Sequence, residues 1–323
     1  MKKKLVKEIF LMIGSVFLFA GCGTGGDSQK NVETSETASE ADSTANKDDT
    51  EMAVEKETEA ASGPEAQSAE AEPSYTIEKV SAESGGHKVM AVLYRPAGDA
   101  TTDCPVVMIS PGFSANYTYF TTYGEELAEN GFAAAIMEFY GGSPGSLSGG
   151  SMREMTVFTE QEDLEAIMDQ LKEDETLDTE QFYLIGHSQG GFVSTLVAAD
   201  RPDEVADLYL IAPAFHIPDA MRETFPSYDD IAEQNRGNGI IVGKEYAQVV
   251  YDYDIYEEMP KYEGKVAIWH GTADEDVPME YSERAAETFP DASLTKVDGV
   301  GHNFPDPFRE MLLSELFADA AEE

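Results

Sequence analysis

A serine hydroxyl attacks a carbonyl only when a neighbouring imidazole takes its proton, and the imidazole serves only when a carboxylate holds it in place. The chain carries these three side-chain types in three short stretches: Ser188 in Gly186-His187-Ser188-Gln189-Gly190, Asp274 in His270-Gly271-Thr272-Ala273-Asp274, and His302 in Gly299-Val300-Gly301-His302. The first stretch lies between the apolar run Phe182 to Ile185, which suits a buried strand, and Phe192 to Ala199, which suits a helix. A serine at such a junction stands out over the end of a sheet, and the glycines two before and two after let strand and helix pack closely. The same spacing recurs in Gly141-Gly142-Ser143-Pro144-Gly145. There the next residue would have to donate its amide to an oxyanion, and proline has none. Ser143 is therefore expected in a loop.

The partners of Ser188 follow from chain order, which in hydrolases with this turn runs serine, acid, histidine. Of the five histidines, His87 and His187 precede the serine, His216 leaves no room for an acid at a strand end before it, and His270 closes a strand with a structural role. His302 follows the last strand in a glycine-flanked loop and is the expected base. The turn after His270 offers Asp274, Glu275 and Asp276; spacing from the strand end favours Asp274, with Asp276 as its rival. The oxyanion needs two amides. Gln189 supplies one, and Phe113, in the turn after the strand ending at Ser110, supplies the other.

The elements that must hold these residues alternate strand and helix. Tyr75 to Val80 and Lys88 to Tyr94 suit an opening antiparallel pair, and Pro105 to Ser110 and Phe132 to Phe139 suit buried parallel strands. Apolar residues at Val157, Leu164, Ile167, Met168 and Leu171 repeat at helix period, and Gly131 suits a helix C-terminal cap. The pattern predicts an α/β fold with a mostly parallel sheet covered on both faces. It breaks between about 214 and 262, which hold eight aromatics and no evident strand. An insertion there would lie over the carboxyl ends of the strands as a cap, its aromatics either packing it down or lining a pocket.

Composition narrows the rest. Residues 1–21 combine lysines at positions 2 to 4 with an apolar stretch, which predicts a signal peptide. Phe19-Ala20-Gly21-Cys22 resembles the lipobox of bacterial lipoproteins, though Phe19 stands where leucine is preferred; Cys22 would then carry the lipid. Residues 22–73 hold no aromatic residue and are strongly acidic, which suits a disordered tether with an r.m.s. span of about 40 Å. Residues 74–323 carry 48 acidic and 14 basic residues, so nucleic acid and anionic membrane surfaces are poor partners. With Cys22 assigned to the lipid, only Cys104 remains in the domain and no internal disulfide is expected.

Taken together, Pro111-Gly112-Phe113, Met155-Thr156-Val157 with Glu160, Glu162 and Asp163, the Ser188 turn, Ile255-Tyr256-Glu257, His270 to Asp274 with Val277-Pro278, and Gly301-His302 resemble the bacterial cinnamoyl and feruloyl esterases of the α/β-hydrolase superfamily. The resemblance spans essentially all of 74–323. It implies Ser188 as nucleophile, Asp274 as acid, His302 as base, the Phe113 and Gln189 amides as oxyanion hole, and a cap that shapes the acyl pocket. Pro111 departs from the histidine usual in that family, and Tyr140-Gly141-Gly142 replaces a more polar turn. The expectation is a serine esterase without cofactor or metal, exported and lipid-anchored at the outer face of a bacterial cell membrane. Its substrate would be a small-molecule or plant-wall ester with a flat acyl group, to which Trp269 and the cap aromatics point; oligomeric state is left open. Two alternatives are a serine aminopeptidase-like enzyme and an inactive binding lipoprotein.

Overall fold

Gly85 and Gly86, with φ of +53° and +87°, join β1 (Tyr75–Ser84) to β2 (His87–Pro96) as an antiparallel hairpin. This hairpin opens the fold in a computed structural model that describes residues 74–322 apart from 99–101, 238–239 and 303–305. The expected signal peptide, the tether and Cys22 lie outside the described residues. After the hairpin come β3 (Cys104–Ser110), α1 (Thr121–Glu129), β4 (Ala133–Glu138), α2 (Val157–Leu171), β5 (Leu177–His187), α3 (Gln189–Asp200) and β6 (Val205–Ile211). Past residue 264 the alternation resumes with β9 (Lys265–Gly271), α6 (Met279–Thr288), β10 (Ala292–Val297) and α7 (Asp306–Asp319).

These strands form one eight-stranded sheet in the order β1-β2-β4-β3-β5-β6-β9-β10. Only β1 with β2 and β2 with β4 pair antiparallel; the rest of the sheet is parallel, as the continuous apolar runs require. Alternate residues of each strand enter opposite cores. Val106 and Met108 join Leu164 and Ile167 of α2 and Phe192 of α3, while Val107 and Ile109 join Leu127 of α1 and Leu312 and Leu316 of α7. Gly131, at φ +93°, ends α1, and the Phe132 amide reaches back to the Leu127 carbonyl.

Between β6 and β9 stand α4 (Ile217–Thr224), α5 (Lys244–Gln248) and a ribbon of β7 (Gln234–Gly237) and β8 (Ile240–Gly243). The ribbon is a feature the sequence pattern did not predict. Its strands are four residues long, and the first, Gln-Asn-Arg-Gly, has no strand propensity; backbone pairing alone makes it.

The aromatic residues of this region mostly pack it onto the body. Phe215 meets Phe192 and Tyr256, Tyr253 meets Phe158, and the Tyr262 hydroxyl donates to the Ala206 carbonyl of β6. Trp269 also departs from its expected role. It is buried in the core on the α1 and α7 side of the sheet, stacked on Tyr209 with centroids 6.2 Å apart. As a core side chain it should act on stability: Trp269→Ala is expected to cost about 3–5 kcal/mol, measured by urea denaturation.

Candidate active site

The backbone at Ser188 has φ +52° and ψ −120°, a conformation rare for a non-glycine residue and costing on the order of 1–3 kcal/mol. It persists because its surroundings leave no alternative. The Ser188 amide donates to the Ile211 carbonyl of β6 at 2.9 Å, and the Ala214 amide donates to the Ser188 carbonyl at 2.9 Å. A Cβ at Gly186 would come within 2.6 Å of the Gly190 carbonyl, and one at Gly190 within 2.0 Å of the Ser110 carbonyl. Both positions must be glycine for β5, α3 and the loop after β3 to meet. Ser143, by contrast, sits in a buried turn of the loop after β4.

Three segments distant in sequence converge on the serine. His302 Nε2 lies 3.0 Å from Ser188 Oγ, and His302 Nδ1 lies 2.8 Å from Asp274 Oδ2. Asp274 is the acid that reaches the imidazole. Asp276 instead contributes its backbone amide, which with that of Val277 donates to Asp274 Oδ1 at 2.9 and 2.8 Å. Burial pushes the Asp274 carboxyl up, but hydrogen bonds from His270 and His302 and the Val277 amide outweigh it and hold the group well below its ordinary value. Asp274 is thus ionised and fixed, and Nδ1 carries the proton it donates to Oδ2. That leaves Nε2 free to accept from Ser188 Oγ.

The sequence left other contributors unrecognised. His270 is fully buried, with Nδ1 2.7 Å from Ser282 Oγ and Nε2 3.2 Å from Asp274 Oδ2, so this structural histidine also steadies the acid. His187 faces the His302 ring at 4.8 Å and donates Nε2–H to the His302 carbonyl at 3.2 Å. Burial, followed by the neighbouring His302, pushes its imidazole far down, so it remains neutral. Glu160, Gln189 and Tyr246 form a third buried group. Gln189 Nε2 donates to Glu160 Oε2 at 2.7 Å, and the Tyr246 hydroxyl donates to Gln189 Oε1 at 2.6 Å. The available signal was two acids, Glu160 and Asp163, on the apolar stripe of α2, where unpaired carboxylates do not belong.

The two predicted oxyanion residues flank the serine. Beside Phe113, the amides of Ser114 and Ala115 donate to the Gly142 and Gly112 carbonyls, whereas the Phe113 amide has no acceptor among the described residues. The Gln189 amide opens α3, so no preceding helical turn can accept it. Phe113, Ser188, Gln189 and His302 all border one cavity, otherwise walled largely by Ile217, Ala220, Met221, Val242, Ala247 and Val277. Tyr246 is the cap aromatic that lines it. Ligand atoms of Asp274, Asp276 and His302 lie within 4.8 Å of one another, and Asp274 and His302 already bond each other.

Comparison with known proteins agrees with this architecture. A family model described as serine aminopeptidase, S33, matches residues 102–238. Est1E from Butyrivibrio proteoclasticus, solved with bound ferulic acid, superposes with a TM-score of 0.68 at 25% identity, covering 75% of this chain and 99% of that one. The chain has the α/β-hydrolase fold. The same fold is that of a Rhodococcus 2-hydroxy-6-oxo-6-phenylhexa-2,4-dienoate hydrolase, at TM-score 0.53 and 16% identity over 75% of this chain and 99% of that one. No curated protein matches its sequence.

Burial pushes the Glu160 carboxyl from 4.5 up to about 8, against the Gln189 hydrogen bond that pulls it down, so it holds its proton at neutral pH. A carboxyl whose folded value exceeds its unfolded one favours folding most below the unfolded value and loses that contribution as pH rises toward the folded value. Glu160→Gln should therefore gain stability relative to the native chain between pH 5 and 8, by up to about 1.4 kcal/mol per pH unit. Urea midpoints measured across that range should diverge, with the native chain falling faster.

Proposed function

We propose that the protein is a serine hydrolase that cleaves carboxylic esters through an acyl-enzyme on Ser188. The observation that carries this reading is the continuous chain from Ser188 Oγ through His302 to Asp274, with links of 3.0 and 2.8 Å, opening onto an apolar cavity. Oγ bonds to the ester carbonyl carbon while His302 Nε2 takes its proton, and the amides of Phe113 and Gln189 receive the resulting oxyanion. Collapse of the tetrahedral intermediate breaks the bond to the alcohol, which leaves with the proton from His302. Water then repeats the sequence, releasing the acid and restoring Ser188. Asp274 stays ionised throughout and stabilises the imidazolium.

The acyl group fits the slot between cap and sheet. A flat or moderately apolar acyl group suits its aliphatic walls with Phe113 and Tyr246 at one side, and the likeness to Est1E, solved with ferulic acid, supports hydroxycinnamoyl esters. The support comes from the cavity walls and that neighbour, since the other cap aromatics and Trp269 are occupied in packing. A peptidase reading has one observation in its favour, the match to the serine aminopeptidase model. The export reading rests on residues 1–22, through which Cys22 would tether the enzyme to the outer face of a membrane. Cys22→Ala should move the protein from the membrane fraction to the medium.

Replacing Ser188 by Ala should lower kcat/KM for p-nitrophenyl butyrate by several orders of magnitude. Methyl ferulate, methyl coumarate and acetyl to octanoyl esters, assayed beside amino-acid anilides, then separate the finer readings. Anilides cleaved faster than every ester would favour the peptidase. Butyrate exceeding every hydroxycinnamate tenfold, about 1.4 kcal/mol in the transition state, would remove the aromatic acyl group while leaving the esterase.

A further inference from the structure

The two amides assigned to the oxyanion come from separate parts of the chain, Phe113 from the loop after β3 and Gln189 from the start of α3. Their side chains nevertheless converge on one residue of the cap. Tyr246, in α5, donates its hydroxyl to Gln189 Oε1 at 2.6 Å and sets its ring edge-on to Phe113, centroids 5.9 Å apart. At the other end of the same side chain, Gln189 Nε2 donates to Glu160 Oε2 at 2.7 Å. Tyr246, Gln189 and Glu160 are all buried.

The contacts close on themselves. Glu160 packs against Gly142, where an added Cβ would lie 3.1 Å from Oε1, and the Gly142 carbonyl accepts the Ser114 amide at 3.0 Å, next to Phe113. A path therefore runs from the Phe113 loop through Gly142, Glu160, Gln189 and Tyr246 back to Phe113. A buried primary amide bonded at both ends cannot swing without leaving a polar group unpaired, at about 1–3 kcal/mol. Such a residue has little freedom at its own backbone N–H.

We propose that Tyr246 and Glu160 are positioning residues, clamping the Gln189 side chain from opposite ends so that the Gln189 and Phe113 amides keep the spacing an oxyanion requires. The inference rests on the serine-hydrolase reading above. The cap then does more than wall the cavity: through one hydroxyl it helps set the geometry of the amide pair. Because an oxyanion forms only on the way to the transition state, loss of the clamp acts on kcat rather than on substrate binding. Glu160 serves as a hydrogen-bond acceptor, so a glutamine in its place can fill the role and a leucine cannot.

The test uses the full chain and p-nitrophenyl butyrate. Tyr246→Phe keeps the ring and removes the hydroxyl; it should lower kcat about tenfold or more with KM within about twofold. Glu160→Leu should do the same, while Glu160→Gln restores kcat to within about threefold of the native value. The double variant Tyr246→Phe/Glu160→Leu should lose much less than the product of the two single losses, because both act through Gln189. A kcat within twofold of native in Tyr246→Phe, a rise in KM alone, full multiplicativity, or Glu160→Gln falling as far as Glu160→Leu would each overturn the clamp. Failure of the underlying reading looks different, since the native chain itself would then turn over no ester and resist fluorophosphonate labelling at Ser188.

Discussion

The structure turns on the backbone of Ser188, which is held in a conformation it would not adopt alone. Two hydrogen bonds, from its amide to Ile211 and to its carbonyl from Ala214, fasten it to the end of β6 and to the residues that begin the cap. The glycines at 186 and 190 let three backbone segments approach within distances no side chain would allow. The strain is sustained by the surrounding sheet, and it projects the hydroxyl toward His302. Everything else in the site is arranged to meet that serine.

What meets it is a set of buried polar groups whose ionisation is settled by their neighbours. Asp274 stays charged because His270, His302 and two backbone amides surround it. Glu160, equally buried but with one amide donor, stays protonated. Asp163 is an intermediate case: burial raises its carboxyl, while the Tyr140 amide and His87 at 2.7 Å oppose the rise. Through those contacts it ties α2 to the opening hairpin and to the glycine-rich loop after β4. Three acids lie within a few ångströms of apolar core, and the number of donors aimed at each decides which carries charge.

The acidic character of the chain, net −42, belongs to a different layer. Among the described residues most acidic side chains are exposed, and ion pairs such as Lys261 with Glu258 or Lys296 with Glu283 lie at the surface, where each contributes little. Stability comes instead from the two cores on either side of the sheet, one of which runs without interruption into the cap through Phe192, Phe215 and Tyr256. That continuity is why so few cap aromatics remain to face the cavity.

The sequence by itself determined the strand and helix alternation, the turn at Ser188, and the candidates Asp274 and His302, because each depends on local pattern: apolar runs, glycine spacing, and position after a strand. It also separated Ser188 from Ser143 on a single missing N–H. What only the tertiary structure decided was direction and company. Trp269 and Tyr246 are both large aromatics in apolar surroundings, yet strand alternation sends one into the far core and α5 sends the other over Gln189. The choice of Asp274 over Asp276 rests on which carboxyl bonds Nδ1; the Asp276 amide donates to Asp274. His270 and Glu160 gain their roles from partners 4 and 29 residues away along the chain, Asp274 and Gln189. Side-chain direction and long-range pairing are set by packing, and no local pattern encodes them.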